Sequence, residues 1–295
     1  MNFNEELLLR TEGAEEVIRK YLPKEEGYQK IILEAMNYSV LAGGKRLRPI
    51  IMNETYRLFD GHAKVIEPFM AAIEFIHTSS LVHDDLPCMD NDEYRRGKKT
   101  TWAVYGDDMA TLAGDGLMVY AFETASSAFS YNFSPKNIGE AIRVLSSKTG
   151  IYGMIGGQTA DVDLTGLRLS EAELQYIYEN KTGALLEASM MIGAILADAS
   201  KEDIRLTERI ARNVGVAFQI RDDILDITST MEKLGKPVHS DEKNEKTTYV
   251  TLFGMEAAEK KVEELSEEAI SLMHTLTGEN RFLEALIIEL VSRDK

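Results

Sequence analysis

Cysteine is nearly missing from this chain: Cys88 is the only one in 295 residues. One thiol excludes an internal disulfide framework and fits a reducing compartment, so a cytoplasmic protein is expected. Proline is scarce too, with six, and aromatics make up only 8%. Long stretches rich in Ala, Leu, Ile, Met, Glu and Lys then favour helix throughout. Positive charge is short: 33 Lys and Arg against 49 Asp and Glu leave a formal net charge of −16. A nucleic-acid partner is excluded, because it needs a basic footprint. Long apolar runs are also lacking. The most apolar one, Gly183 to Ala199, is interrupted by Glu187 and is too short to span a membrane; it is expected as a buried core helix. Met1 to Arg10 is polar and acidic, unlike a secretory signal. What remains is 44% hydrophobic, ample for a large core. No repeat, low-complexity segment or linker is visible, so residues 1–295 are read as one domain.

Against that background one stretch stands out. Asp84-Asp85-Leu86-Pro87-Cys88-Met89-Asp90-Asn91-Asp92 follows an apolar segment, Phe69 to Val82, and precedes Arg95-Arg96-Gly97-Lys98-Lys99. Repelling carboxylates at the end of an apolar helix need a positive partner. A hard cation such as Mg²⁺ takes oxygen ligands and keeps waters or phosphate oxygens. The arginines alongside suit a phosphate shared with that metal. A solvated acidic turn beside a basic one is the plainer alternative. Pro87 must end the helix, so Asp90 is expected to return through a bulge. Cys88 has no partner for zinc and reads as a small hydrophobe.

Other segments carry matching chemistry. Gly43-Gly44 precede Lys45-Arg46-Leu47-Arg48, and two glycines before cations at a helix start make an anion cradle. Lys45 and Arg48 are expected on one helix face. His77 lies seven residues before Asp84 on the same side of a predicted helix over 65–85, and reads either as a core histidine or as a hydrogen-bond donor to phosphate. Gln158 and Asp161 are three apart and fit either one cavity or an exposed turn. Lys181-Thr182-Gly183 interrupts an apolar helix running from 170 to Leu196. That predicts either a kink aiming Lys181 inward or a plain junction. Asp222 and Asp226 are four apart on a helix predicted over 202–227, with Ala211, Gly215, Phe218 and Gln219 on their face. An inward acid pair is disfavoured without a cation, and a metal is the simplest occupant. Residues 229–246, with Lys236 and Lys246, read as a loop long enough to be a lid.

With both acidic segments in place the sequence resembles the trans-polyprenyl diphosphate synthase family. The resemblance runs from Gly43 to about Tyr249. It rests on Gly-Gly-Lys-Arg-Leu-Arg-Pro at 43–49, the acidic run at 84–92, Arg-Arg-Gly at 95–97 and Leu-Ala-Gly-Asp at 112–115. Gly-Gln at 157–158, Lys-Thr-Gly at 181–183, Phe-Gln-Ile-Arg-Asp-Asp-Ile-Leu-Asp at 218–226 and Leu-Gly-Lys-Pro at 234–237 complete it. The resemblance implies an all-α, single-domain bundle of about ten or more helices around a deep central cavity, and a homodimer. It implies a head-to-tail prenyltransferase that joins isopentenyl diphosphate to an allylic diphosphate: dimethylallyl, geranyl or farnesyl. Asp84, Asp85, Asp90, Asp222 and Asp226 would hold several Mg²⁺ ions on the allylic diphosphate, with a water-mediated contact from Asp161. Arg95, Lys181 and Lys236 would bind that diphosphate. Lys45, Arg48, His77 and Arg96 would hold isopentenyl diphosphate, and Thr182 and Gln219 would line the reacting region.

In this family the residues before the first acidic motif help set the floor of the hydrocarbon pocket. Here they are Ser79 and Ser80. Ideal helix geometry puts Ser80 nearer the face of Asp84, but both are small, so the floor is expected to be open. The product expected is geranylgeranyl diphosphate, with farnesyl diphosphate as the alternative; Met109 or Leu112 on the neighbouring helix could plug the pocket.

Overall fold

The computed structural model describes residues 2–228 and 247–292. The described chain folds as two compact units: residues 1–53 with 62–142, and residues 54–61 with 143–295. Among the described residues almost everything regular is helical, apart from one two-stranded hairpin.

The first unit is built on α1 (Phe3–Lys20), α2 (Lys30–Val40), the first half of α3 (Leu47–Leu58), α4 (Glu67–Asp84), α5 (Thr101–Tyr105) and α6 (Asp107–Ser126). Asn2 starts α1 with a reciprocal capping box to Glu5, satisfying two amides that a helix start leaves open. The centre of the unit is α4, which packs on α1, α2 and α6. Phe69, Ile73, Phe75 and Ile76 are wholly buried there. With the short turn before it, Lys64–Asp84 is long and apolar enough to cross a membrane by length and composition, but 78% of that window is buried inside the protein, as in a core helix.

The second unit contains α7 (Pro135–Thr149) from Arg143 onward, α8 (Met154–Asp163), α9 (Glu171–Ile177), α10 (Ala184–Leu196), α11 (Lys201–Thr228), α12 (Tyr249–Phe253), α13 (Met255–Met273) and α14 (Arg281–Ser292). Its spine is α11, which packs on α10, α13 and α14. Every residue of α10 except Met191 is buried, as the apolar run from Gly183 foretells. Glu187, the charge inside that run, is 3% exposed. It accepts from Lys148 Nζ and, at 2.9 Å, from Arg212 Nε, so its burial is compensated by cations from α7 and α11.

Candidate active site

The functional residues fall into two groups, one in each unit. In the first, α4 ends at Asp84 and Asp85 caps it. Pro87 cannot continue the helix, and the chain curls so that the Asp90 amide donates to the Asp84 carbonyl at 2.9 Å. That return is the bulge the sequence calls for, and Asn91 follows it at φ +56°. Asp84 is half-buried and Asp90 exposed, while Asp85 is 4% exposed. Arg95 Nε donates to Asp85 Oδ1 at 2.7 Å, and its Nη2 pairs with the same oxygen as an ion pair at 2.7 Å. Burial pushes the Asp85 carboxyl above its usual pKa, with Arg95 pulling the other way. Arg95 is held by a tight hairpin, strands 94–95 and 98–99. Arg96 and Gly97 at its turn both have positive φ, +54° and +74°, as this right-twisted turn requires.

Arg96 Nη1 donates to the Gly43 carbonyl. Here the sequence expectation needs correcting. Lys45 and Arg48 do not share a helix face, because α3 begins only at Leu47. Gly43, Gly44 and Arg46 all lie at positive φ (+94°, +144° and +49°), which no right-handed helix tolerates. Lys45 is exposed on that loop. Arg46, which no spacing or motif singles out, is 2% exposed and fully engaged. It donates at 2.6 Å to Glu15, to Glu74 and to the Val40 carbonyl. Arg48 Nε is buried with no hydrogen-bond partner among the described residues. Burial lowers the Arg48 pKa, Glu74 opposes that, and Arg96 adds to it. His77 is half-buried in this field. Burial first, then Arg48, Arg96, Arg46 and Arg95, hold its imidazole well below the usual pKa. The ring is therefore neutral near pH 7 and presents a donor N–H without a charge of its own. Two serines precede the motif: Ser79 is fully buried and donates to the Gly114 carbonyl of α6 at 2.8 Å, and Ser80 is half-buried and donates to the His77 carbonyl at 2.9 Å.

In the second unit α9 runs into α10 through a π-helical turn, Tyr178–Gly183. Such turns are rare and collect at functional sites. This is the interruption that Lys-Thr-Gly announces. Close approach by α8 and α11 clamps the turn. A Cβ on Gly157 would lie 2.2 Å from the Lys181 amide nitrogen, and one on Gly215 would lie 2.8 Å from Gly183 Cα. Lys181 Nζ meets Asp161 Oδ2 at 2.5 Å, and Thr182 donates to Gln219 Oε1 at 2.9 Å. On α11, Asp222 is half-buried and Asp226 is 3% exposed. A cleft opens along this turn, lined by Asp161, Tyr178, Lys181, Thr182, Gln219 and Asp223 among others. Gln158 lies one turn before Asp161 on α8. Lys236 and Lys246 lie outside the described residues.

The polyprenyl synthetase family profile matches residues 29–282, most of the chain. The chain belongs to the polyprenyl synthetase family. It is 44% identical over 261 residues, 88% of this chain and 86% of the relative, to a geranylgeranyl diphosphate synthase from Cyanophora paradoxa. It is 43% identical over 251 residues, 85% and 84% respectively, to a farnesyl diphosphate synthase from Geobacillus stearothermophilus. A geranyltransferase from Helicobacter pylori, solved in complex with magnesium and isoprenyl diphosphate, superposes with a TM-score of 0.83 at 30% identity, over 99% of this chain and 97% of that one. This polyprenyl synthetase is thus an all-α enzyme of the prenyltransferase class. Two of its site-building residues escape sequence reasoning. Arg46 looks like one more surface cation in a basic run, and Asp223 looks like a duplicate of Asp222; only the packing tells them apart.

Proposed function

We propose that this chain is a head-to-tail prenyltransferase that adds isopentenyl diphosphate to an allylic diphosphate and carries the product to geranylgeranyl diphosphate. One observation carries the diphosphate part. Arg48 Nε is buried with no hydrogen-bond partner among the described residues, and Arg46, Arg48, Arg95 and Arg96 together act on a neutral His77. An orphaned buried donor is costly, and an anion removes the cost. Guanidinium forks suit the oxygens of a diphosphate.

The donor set suits magnesium. Asp84 and Asp90 in the first unit, and Asp222 and Asp226 in the second, offer only hard carboxylate oxygens. Asp85 contributes beside them through the oxygen that Arg95 leaves open. Magnesium, when bound, stabilises charge on the departing diphosphate. The chain's own residues do the rest. Arg95 and Lys181 balance the allylic diphosphate, so the carbon–oxygen bond ionises. Lys45, Arg48, His77 and Arg96 hold isopentenyl diphosphate so that its double bond meets the allylic cation. Thr182 and Gln219, locked to one another, fix the wall beside the reacting carbons. The departing diphosphate takes the proton that is then lost. The small Ser79 and Ser80 support growth past fifteen carbons, and the working enzyme is a homodimer in this reading.

The test is turnover of isopentenyl diphosphate with dimethylallyl, geranyl or farnesyl diphosphate, with magnesium or with a chelator, read by product mass. A twenty-carbon product that disappears with the chelator is expected. A fifteen-carbon product alone moves the assignment to farnesyl diphosphate synthase, and no turnover with magnesium overturns the reading.

A further inference from the structure

Asp223 sits between two residues assigned to magnesium and does something else. It is 4% exposed. Its Oδ2 accepts from the Tyr178 hydroxyl at 2.5 Å and from the Tyr249 amide at 3.0 Å. The same amide lies 3.2 Å from the Tyr178 oxygen, so the three groups close on one another. Tyr178 is the first residue of the π-turn and is 6% exposed; Tyr249 is the first residue of α12. Successive helical residues point about 100° apart, which separates the Asp223 direction from that of Asp222. Gln219 is one turn earlier on α11, between the directions of Asp222 and Asp223, and reaches the same π-turn as Asp223. It holds Thr182, near the far end of the π-turn.

We propose that Gln219 and Asp223 form a two-point clamp on the π-turn, Asp223 gripping its start through Tyr178 and Gln219 its end through Thr182, so that Lys181 is set in register with Asp222 and Asp226. Asp223 is then a positioning residue, and it ties α12 into the same register. The physical need is plain. A π-turn is a rare departure from the α-helix and persists where its surroundings over-determine it. Gly157 and Gly215 press on its backbone from two sides, and the clamp supplies the directional contacts.

This inference rests on the prenyltransferase reading, and its test separates the two. Tyr178→Phe removes one hydroxyl, and Asp223→Asn keeps the shape while removing the charge. In each, kcat should fall about 10- to 100-fold, as for other groups that orient a first layer of ligands. The KM for isopentenyl diphosphate should stay within about threefold, and the double variant should be no worse than the weaker single, because both substitutions break one unit. Independently of activity, amide hydrogen exchange in the peptide containing Tyr249 should speed up in both variants, since its acceptor is weakened. Unchanged kcat in Tyr178→Phe overturns the clamp, as does unchanged exchange or a double variant whose losses multiply. Should Asp223→Asn fail to fold, Tyr178→Phe decides alone. A wild-type chain without turnover overturns the functional reading and the clamp's catalytic purpose with it, whereas active wild type with unaffected variants overturns the clamp only.

Discussion

In the first unit Arg46, Arg48, Arg95 and Arg96 crowd around one imidazole, and buried carboxylates hold the crowd together. In the second, the π-turn that carries Lys181 is held by glycines on α8 and α11 that let backbones touch. The first arrangement is electrostatic: Glu74 and Glu15 fix Arg46, and Asp85 fixes Arg95. The second is steric, with polar contacts added at its ends. The difference teaches where each half is fragile. Removing a charge should damage the first most, and adding a single methyl should damage the second most.

The largest effect is expected at Arg46. Its guanidinium is wholly buried between Glu15 and a Glu74 side chain that is 3% exposed. Arg46→Met strands those carboxylates, and breaking a buried pair from one side costs about 3–5 kcal/mol. Urea unfolding measures it. A loss below about 1 kcal/mol, the range of an ordinary surface pair, would show that the charge cluster does not hold this unit together.

Next comes a pair of glycine substitutions. Gly157→Ala puts a methyl against the Lys181 backbone, which cannot step aside, and should cost about 1–3 kcal/mol by overpacking, with a fall in kcat as Lys181 shifts. Gly116→Ala in α6 meets the Met36 thioether at 3.0 Å and Ile32 Cδ1 at 3.4 Å, both the ends of flexible side chains. There the gain in helix propensity, about 1 kcal/mol, offsets the contact, so thermal and urea midpoints should barely move. Equal losses at the two sites would erase the contrast between the units.

A smaller effect distinguishes the first unit by pH. The His77 pKa in the folded state lies below its unfolded value, so the unfolded chain binds the extra proton. Stability from this group is therefore fully present above pH 6.5 and is lost as pH falls below it. The slope is at most about 1.4 kcal/mol per pH unit for one proton. Urea midpoints between pH 7.5 and 5.5 should fall more steeply in the wild type than in His77→Gln. The surrounding charges are Arg46, Arg48, Arg95 and Arg96, with Glu74 opposing them at Arg48. Parallel profiles would mean that burial and the arginines together do not depress the His77 pKa.

Much of this was legible in the chain itself, and the reasons are physical. The interruption at Lys181-Thr182-Gly183 and the inward spacing of Asp222 and Asp226 are local, and local spacing is what a sequence displays. Asp90's return past Pro87 follows from the missing amide of one proline. The illegible parts depend on partners far apart in the chain. Arg46 meets Glu15 and Glu74, 31 and 28 residues away. Asp223 meets Tyr178 at a separation of 45. Positive φ at Arg46 hid the true start of α3, because nothing in a basic run marks a non-glycine residue for that conformation.

The smallest effect is expected where α4 meets α6. Ser79 is fully buried and its hydroxyl donates to the Gly114 carbonyl. Gly114 belongs to α6, so that carbonyl is within a helix and stays satisfied when the serine is removed. Ser79→Ala should therefore cost only about 0.5 kcal/mol, the low end for one net hydrogen bond. It also bears on product length. If the pocket floor is open because this position is small, a still smaller side chain leaves the longest product unchanged, and mass analysis should show the wild-type distribution. A shift to shorter products in Ser79→Ala would mean that the hydroxyl itself holds α4 and α6 at the spacing the growing chain needs. Product length would then be set by helix separation rather than by side-chain bulk.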